Sequence, residues 1–340
     1  MPAEWSLHQA TWLSWPHNKE TWCGGLEAVE QIMADVVVAL APEELVFINV
    51  QDEAHARHAS GCLAGRVADE RIRLEQIATD DAWIRDYGAI IVSTGDSNEG
   101  MQAVDFDYNA WGGKYPPFDR DRAVARQMAE RLGLVRISSS MVLEGGSVDA
   151  NGEGLGLVTE QCLLHPNRNP AMQQSEIENR LKELLGLTGL VWLGEGIMGD
   201  DTDGHVDNLV RFVSERRVVA VVTPDRSDPN HLALADNRRR LGGFRDENGR
   251  TLEVIELPLP DPVIHAGERL PASYANFYVA NGVVLVPTFG GSADETALGI
   301  LAECFAGRRI VPIDCRPLIV GLGGLHCLTQ QIPVMVPGSE

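Results

Sequence analysis

Apolar positions recur along the chain in two spacings, and the spacings alternate. Short runs dense in Val, Ile and Leu and bounded by Gly, Pro, Asp or Asn read as strands at 44–50, 89–93, 155–159, 207–213, 217–222, 282–287 and 309–313. Between them apolar residues fall three and four apart, as in Leu26, Val29, Met33, Val36, Val37 and Leu40, and again in Ala297, Ile300, Leu301 and Cys304. That spacing puts one face of a helix on a core. The stretch 293–306 also carries Asp294 and Glu295 in its first turn, where the helix dipole favours acids. The chain therefore reads as α/β from end to end. The breakers Gly112, Gly113, Pro116 and Pro117, and the polar run 225–230, look like loops inside one unit, and no Pro/Ser-rich linker divides the chain. We expect a single domain over 1–340, in which strand and helix units recur at intervals compatible with several similar modules.

Composition narrows the class. With 340 residues and 44% hydrophobic content there is ample material for a packed core. Lys and Arg number 28 against 49 Asp and Glu, a net charge of −21 that repels polyanions and concentrates cations. Nucleic acid is excluded as an expected partner; a small cationic substrate suits the sign, although an acidic solubilising surface fits it equally well. The six cysteines (Cys23, Cys62, Cys162, Cys304, Cys315, Cys327) are widely spaced and contain no CxxC pair, so neither a disulfide framework nor a zinc knuckle is indicated. The opening Met1, Pro2, Ala3, Glu4, Trp5 lacks the basic start of a signal peptide, and no apolar run approaches ~18 residues, so the expectation is a cytoplasmic protein with no membrane partner.

Four segments carry candidate chemistry. In 321–333, Gly321, Gly323 and Gly324 lead to His326 and Cys327, a setting in which backbone can approach a ligand and present a thiol. A lone cysteine is more often a small buried hydrophobe, so its company decides. In 199–208 four aspartates accompany His205, and strand alternation would put His205 and Asp207 on one face. The same cluster, Asp200 to Asp207, could instead cap a strand or hold a metal, though it departs from the calcium loop because no Glu follows at the required offset. In 80–88, Trp83, Asp86 and neighbouring acids combine an aromatic face with carboxylates, which suits a planar delocalised cation such as a guanidinium; an Arg85 salt bridge beside a packed Trp83 is the plainer reading. In 143–147, Glu144 precedes Gly145 and Gly146 and could orient the His205 imidazole.

Taken together with 1–22 (MPAEWSLHQATWLSWPHNKETW) and 105–115 (DFDYNAWGGKY), the segments DAWIRDYG, LEGGS, DTDGHVDN and GGLHCLTQQIP resemble the agmatine deiminase family of the guanidine-modifying superfamily. The resemblance covers nearly the whole chain and implies a pentein, an α/β-propeller of five ββαβ-type modules around a pseudo-fivefold axis. It implies Cys327 as nucleophile, His205 as general acid/base, Asp86 and Asp207 as guanidinium-binding carboxylates and Glu144 as support for the histidine. Trp83, Trp111 and Asp201 sit where substrate-lining residues are expected. Leu325 departs from the polar residue, often Asn, that tends to precede the His-Cys pair, which bears on substrate-end selectivity. The implied reaction converts agmatine to N-carbamoylputrescine and ammonia through an S-alkylthiouronium on Cys327, a step of putrescine and polyamine biosynthesis that requires no metal or organic cofactor. A homodimer is the family's expectation. The alternatives are a deiminase of peptidyl-arginine or another small guanidine, a metal-dependent hydrolase built on Asp200 to Asp207, and a guanidine-binding protein without turnover.

Overall fold

The computed structural model describes residues 1–94 and 100–334. Its strands are β1 (His8–Ser14), β2 (Leu45–Val50), β3 (Ile72–Gln76), β4 (Ile90–Ser93), β5 (Met101–Asp107), β6 (Val135–Val142), β7 (Asp149–Ala150), β8 (Leu155–Thr159), β9 (Gly189–Leu193), β10 (Val210–Ser214), β11 (Arg217–Val222), β12 (Glu253–Pro258), β13 (Ile264–His265), β14 (Glu268–Arg269), β15 (Tyr278–Val279), β16 (Val283–Thr288), β17 (Arg309–Asp314) and β18 (Gln330–Pro333). They assemble by one rule applied five times. A first strand pairs antiparallel with a second, a helix follows, and a third strand returns parallel to the second. The units are β4-β5-β6, β7-β8-β9, β10-β11-β12 and β15-β16-β17, crossed by helices Val124–Leu132, Gln174–Leu185, His231–Gly243 and Asp294–Cys304 respectively. The fifth is β18-β1-β2, crossed by Leu26–Leu40 and widened by β3. A parallel return needs such a crossover, which is why each strand pair is separated by a helix. The five ββαβ modules expected from the resemblance are thus present among the described residues, and the antiparallel pairing of β18 with β1 joins the two ends of the series. The short hairpin β13-β14 stands outside it.

The local reasons lie in burial. Middle strands are covered on both faces, so β8 is buried at every position and β16 at all but its last, matching runs too uniformly apolar to alternate. The crossover helices need only one apolar stripe. In Gln174–Leu185 this is Ile177, Leu181 and Leu185, with a capping box between Gln173 and Glu176 and a left-handed Gly186 (φ +67°) at the far end. Among the described residues no helix is long and apolar enough to cross a membrane.

One difference from expectation matters for the site. Residues 206–208 form a single helical turn, and β10 begins only at Val210, so neither His205 nor Asp207 lies in a strand. The same device recurs ahead of other modules: turns Ile84–Tyr87, Gly145–Ser147 and His326–Leu328 precede β4, β7 and β18, and a turn in which the Asn276 N–H donates to the Ser273 carbonyl (3.4 Å) precedes β15. The turn at 84–87 packs on those at 145–147 and 326–328, and 145–147 packs on 206–208. Residues far apart in sequence are therefore delivered to one place by equivalent turns.

Candidate active site

The meeting point is the backbone of Gly146. A Cβ there would lie 2.7 Å from His205 Nδ1, 2.8 Å from Asp86 Oδ1 and 3.0 Å from Asp207 Oδ2, so only glycine leaves room for the three groups to converge. The Gly146 N–H donates to Asp86 Oδ1 (3.0 Å), and Trp111 Nε1–H donates to Asp86 Oδ2 (2.9 Å). Asp207 Oδ2 is held by His326 Nδ1 (2.8 Å), whereas Oδ1 has no partner within the protein. Strand alternation was the wrong reason for pairing His205 with Asp207; the turn at 206–208 brings them together instead.

Cys327 lies on the turn 326–328, its thiol 3.8 Å from Asp207 Oδ2 and 3.4 Å from Asn276 Nδ2. Burial raises its pKa well above the usual thiol range, and the carboxylates of Asp207 and Asp86 push the same way. Without a cation beside it Cys327 is a thiol. The two carboxylates differ from each other: burial, with Asp207 and Glu144 nearby, raises Asp86 despite the opposing His205, whereas His326 overcomes the burial of Asp207 and lowers it. Burial also opposes charge on His205, yet Asp86, Cys162 and Glu144 outweigh it and hold the imidazole well above the ordinary histidine range. The surrounding acids thus favour the imidazolium form of His205.

Glu144 is fully buried with Oε2 4.0 Å from His205 Nε2, too long for a hydrogen bond. Its other oxygen accepts from Arg168 Nε at 2.6 Å. The support Glu144 lends to His205 is therefore a fixed charge, anchored by Arg168. Cys162 lies in this group: Glu144, Cys162 and His205 offer ligand atoms all within 4.8 Å of one another, the one metal-compatible grouping among the described residues. The Asp200 to Asp207 cluster does not converge on a shared point. Asp200 accepts from the Thr202 backbone and hydroxyl, Asp201 from Tyr115, Asp203 from Arg168, Lys114 and Asn167, and Asp207 from His326.

Trp111, Asp201 and Trp83 surround this centre unequally. Trp111 touches Asp86 directly. Asp201, half-buried, is held by Tyr115, whose ring packs edge-on against Trp111 at 5.7 Å. Trp83 packs beneath the glycine-rich approach to Cys327, where a Cβ at Gly323 would meet its ring at 2.4 Å, and against Trp22 at 5.3 Å. Arg85, one residue before Asp86, does form an ion pair, with Glu4 at 3.5 Å. The structure adds Asn276, Gly146, Cys162 and Arg168 to the site; Gly146 stands in the LEGGS motif, while nothing in the sequence around Asn276, Cys162 or Arg168 marks them.

A model of the Porphyromonas-type peptidyl-arginine deiminase family matches residues 1–333. The chain belongs to that family. Membership makes it a hydrolase of C–N bonds. An agmatine deiminase of Ectopseudomonas mendocina is 38% identical to it over 98% of this chain and 95% of its own length, and one of Stutzerimonas stutzeri is 37% identical over the same shares. Among solved structures, the agmatine deiminase of Enterococcus faecalis superposes with a TM-score of 0.92 at 30% identity, covering 99% of this chain and 96% of that one. An amidinotransferase of Microseira wollei, at 10% identity and a TM-score of 0.55 over 98% of this chain and 96% of its own, shares the fold alone, which is the pentein.

Proposed function

We propose that this family member hydrolyses the guanidinium group of agmatine, releasing ammonia and N-carbamoylputrescine, within one pentein domain. The observation that carries the reading is a set of buried polar atoms with no partner in the protein, Asp207 Oδ1, both ring nitrogens of His205 and Glu144 Oε2, gathered beside a buried thiol. Leaving such groups unpaired costs on the order of 1–3 kcal/mol each, which a bound ligand rich in N–H donors would relieve at the carboxylates. A guanidinium is such a ligand, and its charge requires the paired carboxylates Asp86 and Asp207 if it is to leave water.

The chemistry then follows from the charges. Burial is the main reason Cys327 rests as a thiol, with Asp207 and Asp86 adding to it; docking of the cation offsets both carboxylates and places a positive charge beside the sulfur, so the thiol proton departs to solvent as the cation arrives. The thiolate attacks the guanidinium carbon. His205, already an imidazolium, gives its proton to the departing nitrogen, the C–N bond breaks and ammonia leaves, with an S-alkylthiouronium on Cys327. Neutral His205 then removes a proton from water as the water oxygen bonds to the same carbon. The C–S bond breaks as the remaining hydroxyl proton passes to the departing sulfur, so the ureido product leaves with its carbonyl formed and Cys327 returns to the thiol; the proton first lost to solvent balances the ammonia as ammonium. Proton transfers of this kind are typically worth ~10²–10⁴-fold each.

Agmatine is preferred over arginine because the neighbouring cations are already paired: Arg85 with Glu4, Lys114 with Asp201 and Asp203, and Arg168 with Glu144 and Asp203. None of these three is left to receive an α-carboxylate. The test is turnover of agmatine, free arginine and a blocked arginine peptide, with and without chelator, following ammonia and ureido product, alongside Cys327→Ser. Chelator-insensitive turnover of agmatine that disappears in Cys327→Ser is expected. Turnover of the peptide alone would move the substrate to peptidyl-arginine, and an active Cys327→Ser would sink the mechanism.

A further inference from the structure

The reaction above uses nothing from residues 1–22, yet that stretch is one of the six motifs behind the family resemblance. Glu4 lies in it, buried at 5% exposure. Its Oε2 contacts His326 Nε2 and Arg211 Nη2, both at 2.8 Å, and Arg85 Nη2 at 3.5 Å; its Oε1 accepts the Val279 N–H at 2.8 Å. The other ring nitrogen of His326 contacts Asp207 Oδ2 at 2.8 Å, and its backbone N–H donates to Asn276 Oδ1 at 2.9 Å. An ionised carboxylate only accepts hydrogen bonds, so an imidazole facing two of them at 2.8 Å carries hydrogen on both nitrogens and is charged. Although burial favours the neutral acid, Arg211, His326 and Arg85 hold Glu4 well below the usual carboxylate range.

We propose that Glu4 is a positioning residue of the active site: through a charged His326 it clamps Asp207 by Oδ2 and leaves Oδ1 for the substrate guanidinium. The clamp spans the molecule, since His326 also precedes the nucleophile and bonds to the Asn276 that touches the Cys327 thiol. The other charged or titratable groups facing it are Arg211 and Asp149, paired to each other at 3.2 Å, Arg85, Tyr278 and Arg308. Replacing Glu4 by Gln removes the anion on the far side of the ring while keeping its shape. Asp207 then faces the ring without the opposing anion, and its Oδ2 is clamped less firmly.

The kinetic part of this inference rests on the deiminase reading; the spectroscopic part does not. In folded Glu4→Gln, judged by melting and circular dichroism, kcat/KM for agmatine is expected to fall about 10- to 100-fold, the range set by a hydrogen bond to a charged group. The loss falls more on KM than on kcat, because Asp207 binds the guanidinium both before and during reaction. Glu4→Asp, which keeps the anion, restores much of the lost kcat/KM. Independently, ¹⁵N NMR of histidine-labelled protein should show both ring nitrogens of His326 carrying hydrogen at pH 7 in the native chain, as its contacts with Glu4 and Asp207 require. Native kcat/KM and KM in folded Glu4→Gln overturn the proposal. So does a neutral His326 ring in the native protein at pH 7, a measurement that holds even if Glu4→Gln fails to fold or no guanidine proves to be a substrate.

Discussion

The absence of one methyl group holds the active centre open. At Gly146 a Cβ would sit within 2.7–3.0 Å of His205, Asp86 and Asp207, and the backbone there has no positive φ that would itself forbid a side chain. Gly146→Ala therefore leaves the chain able to fold while displacing the groups meant to hold the guanidinium. A shift of ~1 Å in such a constellation costs on the order of 10²-fold, so kcat/KM should fall by at least that much with the melting temperature little changed. Retained activity would mean that the three groups do not share the substrate. Asp121 offers a residue-level test of a different kind. Its Oδ1 accepts the amides of Asp80 (2.7 Å) and Asp81 (3.3 Å), yet burial, with Asp81 and Asp80 adding to it, raises its pKa well above the usual carboxylate value. A raised folded pKa contributes stability that is present below the unfolded value, near 3.9, and is lost as pH rises through the folded one. Asp121→Asn keeps an acceptor for the two amides without the charge. Its melting temperature should exceed that of the native protein at pH 8, and the gap should close towards pH 4; equal melting at pH 8 would show that the ionised carboxylate costs nothing.

At the scale of elements, the recurring unit is a helical turn followed by a strand. The turn supplies chemistry and the strand fixes it to a core, so damage to a crossover helix should separate stability from catalysis. Leu181, on Gln174–Leu185, is fully buried in a cluster with Ile177, Leu185, Val158 and Met141. Leu181→Ala should lower stability by about 2–5 kcal/mol in denaturant titration while leaving KM unchanged. A changed KM would show that this helix also sets the geometry of the site. The same unit explains what the sequence disclosed. The strands at 155–159 and 217–222 and the helix at 26–40 were readable because one or both faces are buried and the residue pattern has no alternative partner. β7 and β15, only two residues each, are too short to leave a period. The turn 206–208 passed for strand because His-x-Asp imitates alternation. Cys327, His205, Asp86 and Asp207 stood out through their motifs, but their partners did not. Asn276 lies 51 residues from Cys327, and Glu4 lies 322 from His326. The first pairing joins the turns ahead of successive modules and the second the two ends of the chain where β18 pairs with β1, and neither leaves a local signature.

For the whole molecule, the net charge of −21 is the remaining lever on the reaction. The buried charges around Glu4 largely offset one another, Arg85, Arg211 and His326 facing Glu4, Asp149 and Asp207, so the excess lies mostly elsewhere and acts at longer range. A negative field draws a dication to the pocket before contact, which raises the encounter rate and leaves the bonded steps alone. Salt shortens that reach, to about 10 Å at about 0.1 M. Raising NaCl from about 20 mM to about 300 mM should therefore lower kcat/KM for agmatine several-fold with kcat nearly constant. Any guanidine of lower net charge that the enzyme also accepts, such as arginine, should respond less, because the field acts on net charge while the pocket acts on the guanidinium common to both. Equal slopes for the two substrates would place the salt effect at the Asp86 and Asp207 contacts themselves, and a slope of zero for agmatine would leave the acidic surface with no part in catalysis.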